Sequence, residues 1–259
     1  KFNPNSRKHI EFCLRRKYNW RPRVFTESGS AKIDETILSS LPFPEAQRLA
    51  RSFMLQKRLG MLAEGNNAWM QLVNTDGKLR HTINPLGTIT GRAASFKPNL
   101  QQVPAVRAPF GKECRELFTV PNGHVLVGAD LSGIELRCLA HYMQDGGAFA
   151  REVTSGDIHT ANMHSMGLTD RNQAKTAIYC MIYGGGNHRL GEIAGAGAAE
   201  GKIIRDRFYK ANPAFADLLR QVKKVAANRG YLIGLDGRQL AIRSEHGALN
   251  VLLQSCAAI

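Results

Sequence analysis

The stretch Val125-Leu-Val-Gly-Ala-Asp130-Leu-Ser-Gly-Ile-Glu135-Leu-Arg137 organises the rest of the chain. Its apolar start predicts a short strand that places the carboxylate of Asp130 at the strand end. A glycine turn then leads into a helix that carries Glu135. A carboxylate at a strand end can hold a divalent metal ion against a phosphate. The alternative interpretations are that Asp130 caps the helix, and that Glu135 complements the helix dipole or pairs with Arg137.

A second helix is predicted over residues 170–183, with Thr169 as its cap and Asp170 at its positive end. Two cations and then two aromatics recur every four residues along it: Arg171, Lys175, Tyr179 and Tyr183. At 3.6 residues per turn the four span roughly 120° of one face over about 18 Å. A triphosphate would lie along the cations, and a base or sugar would stack on the aromatics. The alternative is an amphipathic helix with solvent-directed cations and half-buried tyrosines. The face predicted to pack inward carries Ala174, Ile178, Met181 and Ile182.

The chain is strongly basic. Its 259 residues include 35 Lys and Arg against 21 Asp and Glu, which gives a formal net charge of +14 at pH 7. Such an excess favours an anionic partner, of which nucleic acid is the commonest; the alternative is a basic enzyme of unrelated function. Hydrophobic residues make up 43% and charged residues 22%, so a disordered or fibrous class is excluded.

Cysteine usage indicates a reducing compartment. The five cysteines form no C-x-x-C pair and their number is odd, which suits free thiols. No apolar run approaches the roughly 18 residues that a membrane-spanning helix needs, and no signal peptide is visible. We therefore expect no membrane partner and a cytoplasmic location.

The first half of the chain changes character once. Residues 1–70 are basic and predicted to be helical, with one helix capped by Ser6 and a long helix from about Glu45 to Met61. Residues 71–130 predict turns and short strands. The features expected there are a hairpin turn at Asp76-Gly77 and strands at Leu117-Phe118 and Val125–Val127.

Residues 131–259 are predicted to be mostly helical. The candidate helices span 132–143, about 147–155, 158–166, 170–183, 187–194, 198–210, 213–229 and 246–259. A hairpin over 231–242 interrupts them and turns at Asp236-Gly237. Three glycines at 184–186 end the 170–183 helix and allow close approach of another group.

Two sets of polar residues suit contacts with DNA. Arg92 follows a Thr-Gly turn, and Asn99 and Gln101 lie in a loop bounded by prolines. Arginine and amide groups can bond the minor-groove acceptors that every base pair presents; the alternative is turn capping. Asn250 and Gln254 are amides four residues apart on an otherwise apolar helix, a pattern that more often serves a site than a core.

His159 lies just before the cationic helix and is placed to reach a phosphate. A zinc role has little support, because His159 and His164 are five residues apart and no cysteine or carboxylate cluster completes a ligand set.

These motifs together resemble a known family. Asp130-Leu-Ser-Gly-Ile-Glu-Leu-Arg137 resembles motif A of family A (polymerase I-like) DNA polymerases, and Arg171-x3-Lys175-x3-Tyr179-x3-Tyr183-Gly184 resembles their motif B. Further signatures match in the right order: Thr90-Gly91-Arg92, Pro98-Asn-Leu-Gln101, Asp157-Ile-His159 and Asn250-x3-Gln254. The resemblance covers essentially the whole chain, and the Ser132-Gly133 variant of motif A is most similar to replicative polymerases of short-tailed bacteriophages.

The resemblance implies a role for each matched residue. Asp130 would be one of two carboxylates that hold two Mg²⁺ ions, assisted by the backbone carbonyl of Leu131. The residues that would bind the incoming dNTP are Arg171, Lys175 and His159, with Lys175 also a candidate to protonate the departing pyrophosphate. Tyr179 would stack near the sugar and base, and a tyrosine here is associated in the family with tolerance of 3′-deoxy nucleotides. Glu135 would act as a steric gate against ribonucleotides, helped by Tyr183.

The resemblance also implies a DNA surface. Arg92 and Gln254 would follow the minor groove at the primer end, with Asn99, Gln101 and Asn250 on nearby primer or template. The implied reaction is template-directed transfer of a dNMP from a dNTP to a primer 3′-OH, in phage DNA replication in the host cytoplasm. In-line attack at the α-phosphate needs two metals about 4 Å apart.

Two metals need a second carboxylate, which in this family comes from a His-Asp-Glu motif in a later palm strand. The chain contains no His-Asp dipeptide, so we expect a fragment that cannot polymerise alone but can bind DNA. Any exonuclease domain or insertion for a processivity factor would lie upstream, and the sequence does not decide whether either exists.

The expected fold is α+β, a right-hand polymerase fold with an antiparallel palm sheet, mostly helical fingers and part of the thumb. The expected domains are a thumb base over 1–70, palm over 71–140, fingers over 141–245, and a return into the palm over 246–259. One alternative is a relative of single-subunit RNA polymerases, against which Glu135 and Tyr179 argue. The other is a non-catalytic basic DNA-binding protein.

Overall fold

The structure, a computed structural model, describes residues 1–26 and 28–259. The chain divides into two compact units. One comprises Lys1–Thr82 with Ser95–Leu100, and the other comprises Ile83–Ala94 with Gln101–Ile259. Each is built mainly from helices with short antiparallel strand pairs, as the α+β prediction requires. The expected thumb, palm and fingers boundaries differ from these units and stay predictions.

Four α-helices occur among the described residues of the first unit. They are α1 (Arg7–Tyr18), α2 (Glu35–Ser40), α3 (Pro44–Leu59) and α4 (Trp69–Leu72), with a π-helical turn at Gly60–Glu64. There are also two short strands, β1 (Thr82–Asn84) and β2 (Ala94–Phe96). Each of them includes residues assigned to both units.

Helix α1 starts at the predicted residue. The Ser6 hydroxyl accepts a hydrogen bond from the backbone N of His9 at 3.3 Å, which satisfies one of the free amides of the first turn. Ile10 and Leu14 are buried in a cluster with Leu38 of α2. The amphipathic pattern of this basic segment therefore builds a small core of its own.

Two further predictions in this unit are confirmed. The long helix expected from about Glu45 to Met61 is α3, whose first residue is Pro44, a favoured position for proline because the first-turn amide has no partner to lose. The hairpin expected at Asp76-Gly77 brings Val73 opposite Leu79 in an antiparallel bridge.

The second unit contains nine helices among its described residues. They are α5 (Gly111–Glu116), α6 (Ile134–Tyr142), α7 (Ala148–Ser155), α8 (Ile158–Met166), α9 (Arg171–Ile182), α10 (Asn187–Ile193), α11 (Ala198–Ala211), α12 (Pro213–Arg229) and α13 (Ala248–Cys256). Strands β3 (Tyr231–Ile233) and β4 (Gln239–Ala241) lie between α12 and α13. All eight helices predicted after residue 131 are thus present. Over the described parts of both units, no helix combines the length and apolar character that crossing a bilayer requires.

The core of the second unit surrounds α9. Ile178 and Ile182 of α9 are fully buried, together with Leu190 of α10. Phe208 of α11 and Phe215 of α12 meet edge to face, with ring centroids 5.2 Å apart, an arrangement that aromatic pairs favour. Since α9 packs against α8 and α10, its outer face is held in a defined orientation.

The predicted hairpin over 231–242 is confirmed. Strands β3 and β4 pair antiparallel, with Leu232 opposite Leu240. Both leucines are buried, so the period-two pattern places one face of the hairpin in the core. Gly237 has φ +80°, as the turn at Asp236-Gly237 requires.

The strands predicted at Leu117-Phe118 and at Val125–Val127 do not form. Leu117 follows α5 with helical backbone angles, and Val125–Val127 are irregular and more than three-quarters exposed. The prediction was wrong because an apolar run becomes a strand only where a partner strand completes its hydrogen bonds and covers its side chains. Among the described residues, no strand pairs with Val125–Val127.

Candidate functional site

Helix α9 presents the predicted stripe. Its N-cap is Asp170, whose side chain accepts a hydrogen bond from the backbone N of Asn172 at 2.9 Å. Thr169 is not the cap as predicted, because the residue with the extended cap backbone is one position later. The face predicted to pack inward is buried, and it consists of Ala174, Ile178, Met181 and Ile182. The stripe lies exposed or half-buried on the other side, comprising Arg171, Lys175, Tyr179 and Tyr183.

Arg171 forms a bidentate ion pair with Asp157. Its Nε and Nη2 atoms donate to Oδ2 and Oδ1 at 2.8 and 2.9 Å. The guanidinium, and then the Thr160 hydroxyl, hold the pKa of the Asp157 carboxyl well below its usual range. Asp157 also caps α8, because Oδ1 accepts from the backbone N of His159 at 3.1 Å. This carboxylate therefore ties the start of α8 to the start of α9.

From the sequence, Asp157 was predicted only as part of the Asp157-Ile-His159 signature. Its capping function was recoverable, since Asp before a helical run is a common cap. Its pairing with Arg171, 14 residues away, depends on how α8 packs against α9 and has no local signal.

His159 is brought to the cations as predicted. Burial lowers the pKa of His159, and the charges of Arg171 and Lys175 lower it further. Its Nδ1 atom is buried without a hydrogen-bond partner. Lys175 is exposed, and the described residues provide it with no ion pair. Arg171 and Lys175 thus form a cationic group, with His159 beside it, that an anion would neutralise.

Glu135 lies near the aromatic end of the stripe. The rings of Tyr179 and Tyr183 are 6.1 Å apart between centroids, at 47°. Burial raises the pKa of each tyrosine, and the Glu135 carboxylate raises both further. The structure thus brings together the residues expected at the nucleotide sugar.

Glu135 pairs with Arg92 rather than with Arg137. Arg92 Nη2 donates to Glu135 Oε1 at 3.1 Å, and the Glu135 side chain is only 15% exposed. The Arg137 side chain instead donates from Nε to the Ser132 carbonyl at 2.9 Å. The surface pair considered from the sequence is therefore absent, and a predicted DNA-binding arginine contacts the predicted gate.

Asp130 and Leu131 are exposed and irregular. Helix α6 begins after Gly133, with no side-chain cap, so the alternative that Asp130 caps this helix is wrong. The Asp130 carboxylate and Leu131 carbonyl are the hard oxygen donors that Mg²⁺ prefers, which usually takes one or two carboxylates. No group of three or more His, Cys, Asp or Glu side chains placed to hold a metal occurs among the described residues. These two residues therefore fit one part of a magnesium site.

The remaining predicted residues are amides in two places. Asn250 and Gln254 are half-buried on α13, and the Oδ1 atom of Asn250 is buried without a partner. Gln101 donates from Nε2 to the Ala93 carbonyl at 3.2 Å, the turn-stabilising contact considered as its alternative. Asn99 is exposed and belongs to the other unit.

Comparison with known proteins gives consistent results. A family described as DNA polymerase family A matches residues 1–258. Two curated relatives, each a DNA-directed DNA polymerase, are similar over 288 aligned positions: 39% identity with that of Enterobacteria phage T3 and 38% with that of Escherichia phage T7. The whole chain is covered in both cases, and it spans 41% of each relative.

A solved structure is similar throughout. It is the POL domain of Pol1 from M. smegmatis in complex with a DNA primer-template and a dNTP, with a TM-score of 0.79 and 25% identity. The match covers 100% of this chain and 49% of that one. The right-hand polymerase fold predicted from the motifs is thereby confirmed. The chain belongs to DNA polymerase family A.

Proposed function

We propose that this chain is part of a DNA-directed DNA polymerase that transfers a dNMP from a dNTP to a primer 3′-OH, in phage DNA replication in the host cytoplasm. The observation that carries the proposal is the order of groups along α9. A cationic group at one end and two tyrosines beside Glu135 at the other match the phosphates and the sugar and base of one nucleotide. The two phage relatives support the same activity.

The cationic group binds the triphosphate. Arg171 and Lys175 supply positive charge, and burial and these two cations lower the pKa of His159, which a bound anion would raise. Lys175 is exposed and can move to the leaving pyrophosphate, where it donates a proton. Positioning and charge stabilisation of this kind supply most of the catalysis in phosphoryl transfer.

Glu135 and the tyrosines select the sugar. Because the Glu135 carboxylate is nearly buried and held by Arg92, it cannot easily move aside for a 2′-hydroxyl. Tyr179 and Tyr183 provide the ring surfaces beside it. The site therefore favours deoxyribonucleotides, which argues against the RNA polymerase alternative.

Asp130 and Leu131 would hold divalent metal at the reacting phosphate. Mg²⁺ held there would supply charge stabilisation for in-line displacement at that phosphate. The sequence contains one of the two expected carboxylates and no His-Asp dipeptide. We therefore propose that the 259-residue chain binds DNA but does not extend primers unless a second carboxylate is supplied.

The proposed DNA contacts come from exposed or half-buried polar side chains. Arg92 and Gln254 would follow the minor groove of primer-template DNA at the primer end. Asn250 has an Oδ1 atom that is buried without a partner among the described residues, and Asn250, Gln101 and Asn99 would contact nearby primer or template. Contacts of this type are tolerant of sequence, as a replicative enzyme requires.

A chain completed with the C-terminal region of the T7 phage relative provides the test. Given a primer-template, it should incorporate dNTPs and strongly disfavour NTPs, whereas Glu135→Ala should reduce that discrimination. Equal use of NTPs by the unmodified completed chain would contradict the assignment. Primer extension by the 259-residue chain alone would contradict its proposed dependence on a second carboxylate.

A further inference from the structure

The ion pair between Asp157 and Arg171 has a function that neither the fold nor the motifs assign. Arg171 has five N–H donors and donates two of them to Asp157, one from Nε and one from Nη2. Three donors remain free on the half-exposed side chain. The Arg171 guanidinium group is therefore oriented before any anion binds, and its other N–H groups are available to that anion.

Asp157 is itself fixed by the cap of α8. Oδ1 accepts from the backbone N atoms of His159 and Thr160 at 3.1 and 3.3 Å, and Oδ2 accepts from the Thr160 hydroxyl at 2.7 Å. A carboxylate with this many bonds has little rotational freedom. Asp157 therefore fixes the Arg171 side chain relative to α8, the helix that carries His159.

We infer that Asp157 is a positioning residue that holds Arg171 ready for the triphosphate, an inference that rests on the proposed function. Arginine loses much rotamer freedom when it binds a ligand, and ordering it in advance reduces the entropic cost of binding. The Asp157 carboxylate opposes this benefit by repelling phosphate. The repulsion is screened by salt, because both side chains are about half exposed, whereas the ordering benefit is not.

The test is binding of a fluorescent deoxynucleoside triphosphate to the 259-residue chain at 0.15 M salt. Asp157→Asn keeps a good helix cap and removes the ion pair. It should weaken binding roughly two- to tenfold, the cost of ordering one arginine side chain. Asp170→Asn is the matched control, because the Asp170 side chain caps α9 by accepting from the backbone N of Asn172 and, among the described residues, forms no ion pair with the Arg171 side chain. It should leave the affinity unchanged.

A second pair of variants separates positioning from general damage. In an Arg171→Ala background, Asp157→Asn should have no further effect on affinity, since the side chain it orients is gone. A loss of equal size in both backgrounds would overturn the inference. So would tighter binding by Asp157→Asn that disappears at high salt, because repulsion would then be the whole effect.

The two proposals fail in different ways. If the unmodified chain binds no triphosphate, the proposed nucleotide site is wrong. If it binds and Asp157→Asn binds equally well, only the positioning role is wrong. Thermal unfolding of each variant checks that α8 remains folded.

Discussion

Arg92 Nη2 lies 3.1 Å from Glu135 Oε1, although the two residues are 43 positions apart in the chain. Glu135 is 15% exposed and Arg92 is 40% exposed. The pair therefore neutralises a nearly buried carboxylate and fixes its direction. It also couples a proposed contact with primer DNA to the proposed gate under the nucleotide sugar.

Removing the Arg92 side chain should destabilise the protein through the loss of its ion pair with Glu135. Arg92→Met leaves Glu135 without its ion partner, and we expect the free energy of unfolding to fall by about 1 kcal/mol, discounted for the exposure of the arginine. Urea denaturation measures the change. Adding Glu135→Gln should recover part of the loss, and strictly additive effects would contradict the pairing. Arg80→Met breaks the exposed pair with Asp76 and should cost less.

The pKa of His159 should depend on the charge of α9. Burial lowers the pKa, followed by Arg171 and Lys175. As pH falls through about 6.5, the unfolded chain takes up a proton that the folded chain does not. The contribution of neutral His159 to stability is thus complete above that pH and declines as the pH drops toward the folded pKa.

Histidine resonances followed by NMR over a pH series test this dependence. Lys175→Met should raise the pKa of His159, and Lys210→Met, which removes a lysine elsewhere on the surface, should leave it unchanged. An identical titration of His159 in all three proteins would show that Lys175 is not close to it.

The packing of α9 should be necessary for the stripe on its outer face. Ile178 is fully buried, so Ile178→Ala should lower the free energy of unfolding by about 2–5 kcal/mol. Thr176→Ala changes an exposed residue of the same helix and should stay within about 0.5 kcal/mol of the parent. Chemical denaturation distinguishes the two, and equal effects would contradict the burial of this face.

The end of α9 should tolerate a methyl group at one glycine and not at another. Gly184 has φ +76°, and a Cβ there would lie 2.0 Å from the His246 carbonyl oxygen. Gly184→Ala should therefore destabilise the protein by at least about 1–2 kcal/mol. Gly186 has ordinary φ and open space around it, so Gly186→Ala should have little effect. A thermal melt of each variant measures this difference.

The helices were predictable because their signals are local. Ser6, Pro44 and Asp170 mark helix starts within one turn of the residues they affect, and the buried face of α9 follows from spacing alone. The strand predicted at Val125–Val127 was wrong for the opposite reason. Strand formation depends on a partner strand, and the segment's own residues do not specify one. The pairs of Asp157 with Arg171 and of Glu135 with Arg92 also lay beyond prediction, because packing creates them.

Asp130 is the residue on which the proposed chemistry depends most. Its side chain is exposed and caps no helix, so Asp130→Ala should leave the fold and DNA affinity unchanged. The most direct test is single-nucleotide primer extension by the chain completed with the C-terminal region of the T7 phage relative. The completed chain should add a dNMP, and its Asp130→Ala variant should bind the same primer-template equally well without adding one. Retained turnover in that variant would contradict the assignment of Asp130 as a metal ligand.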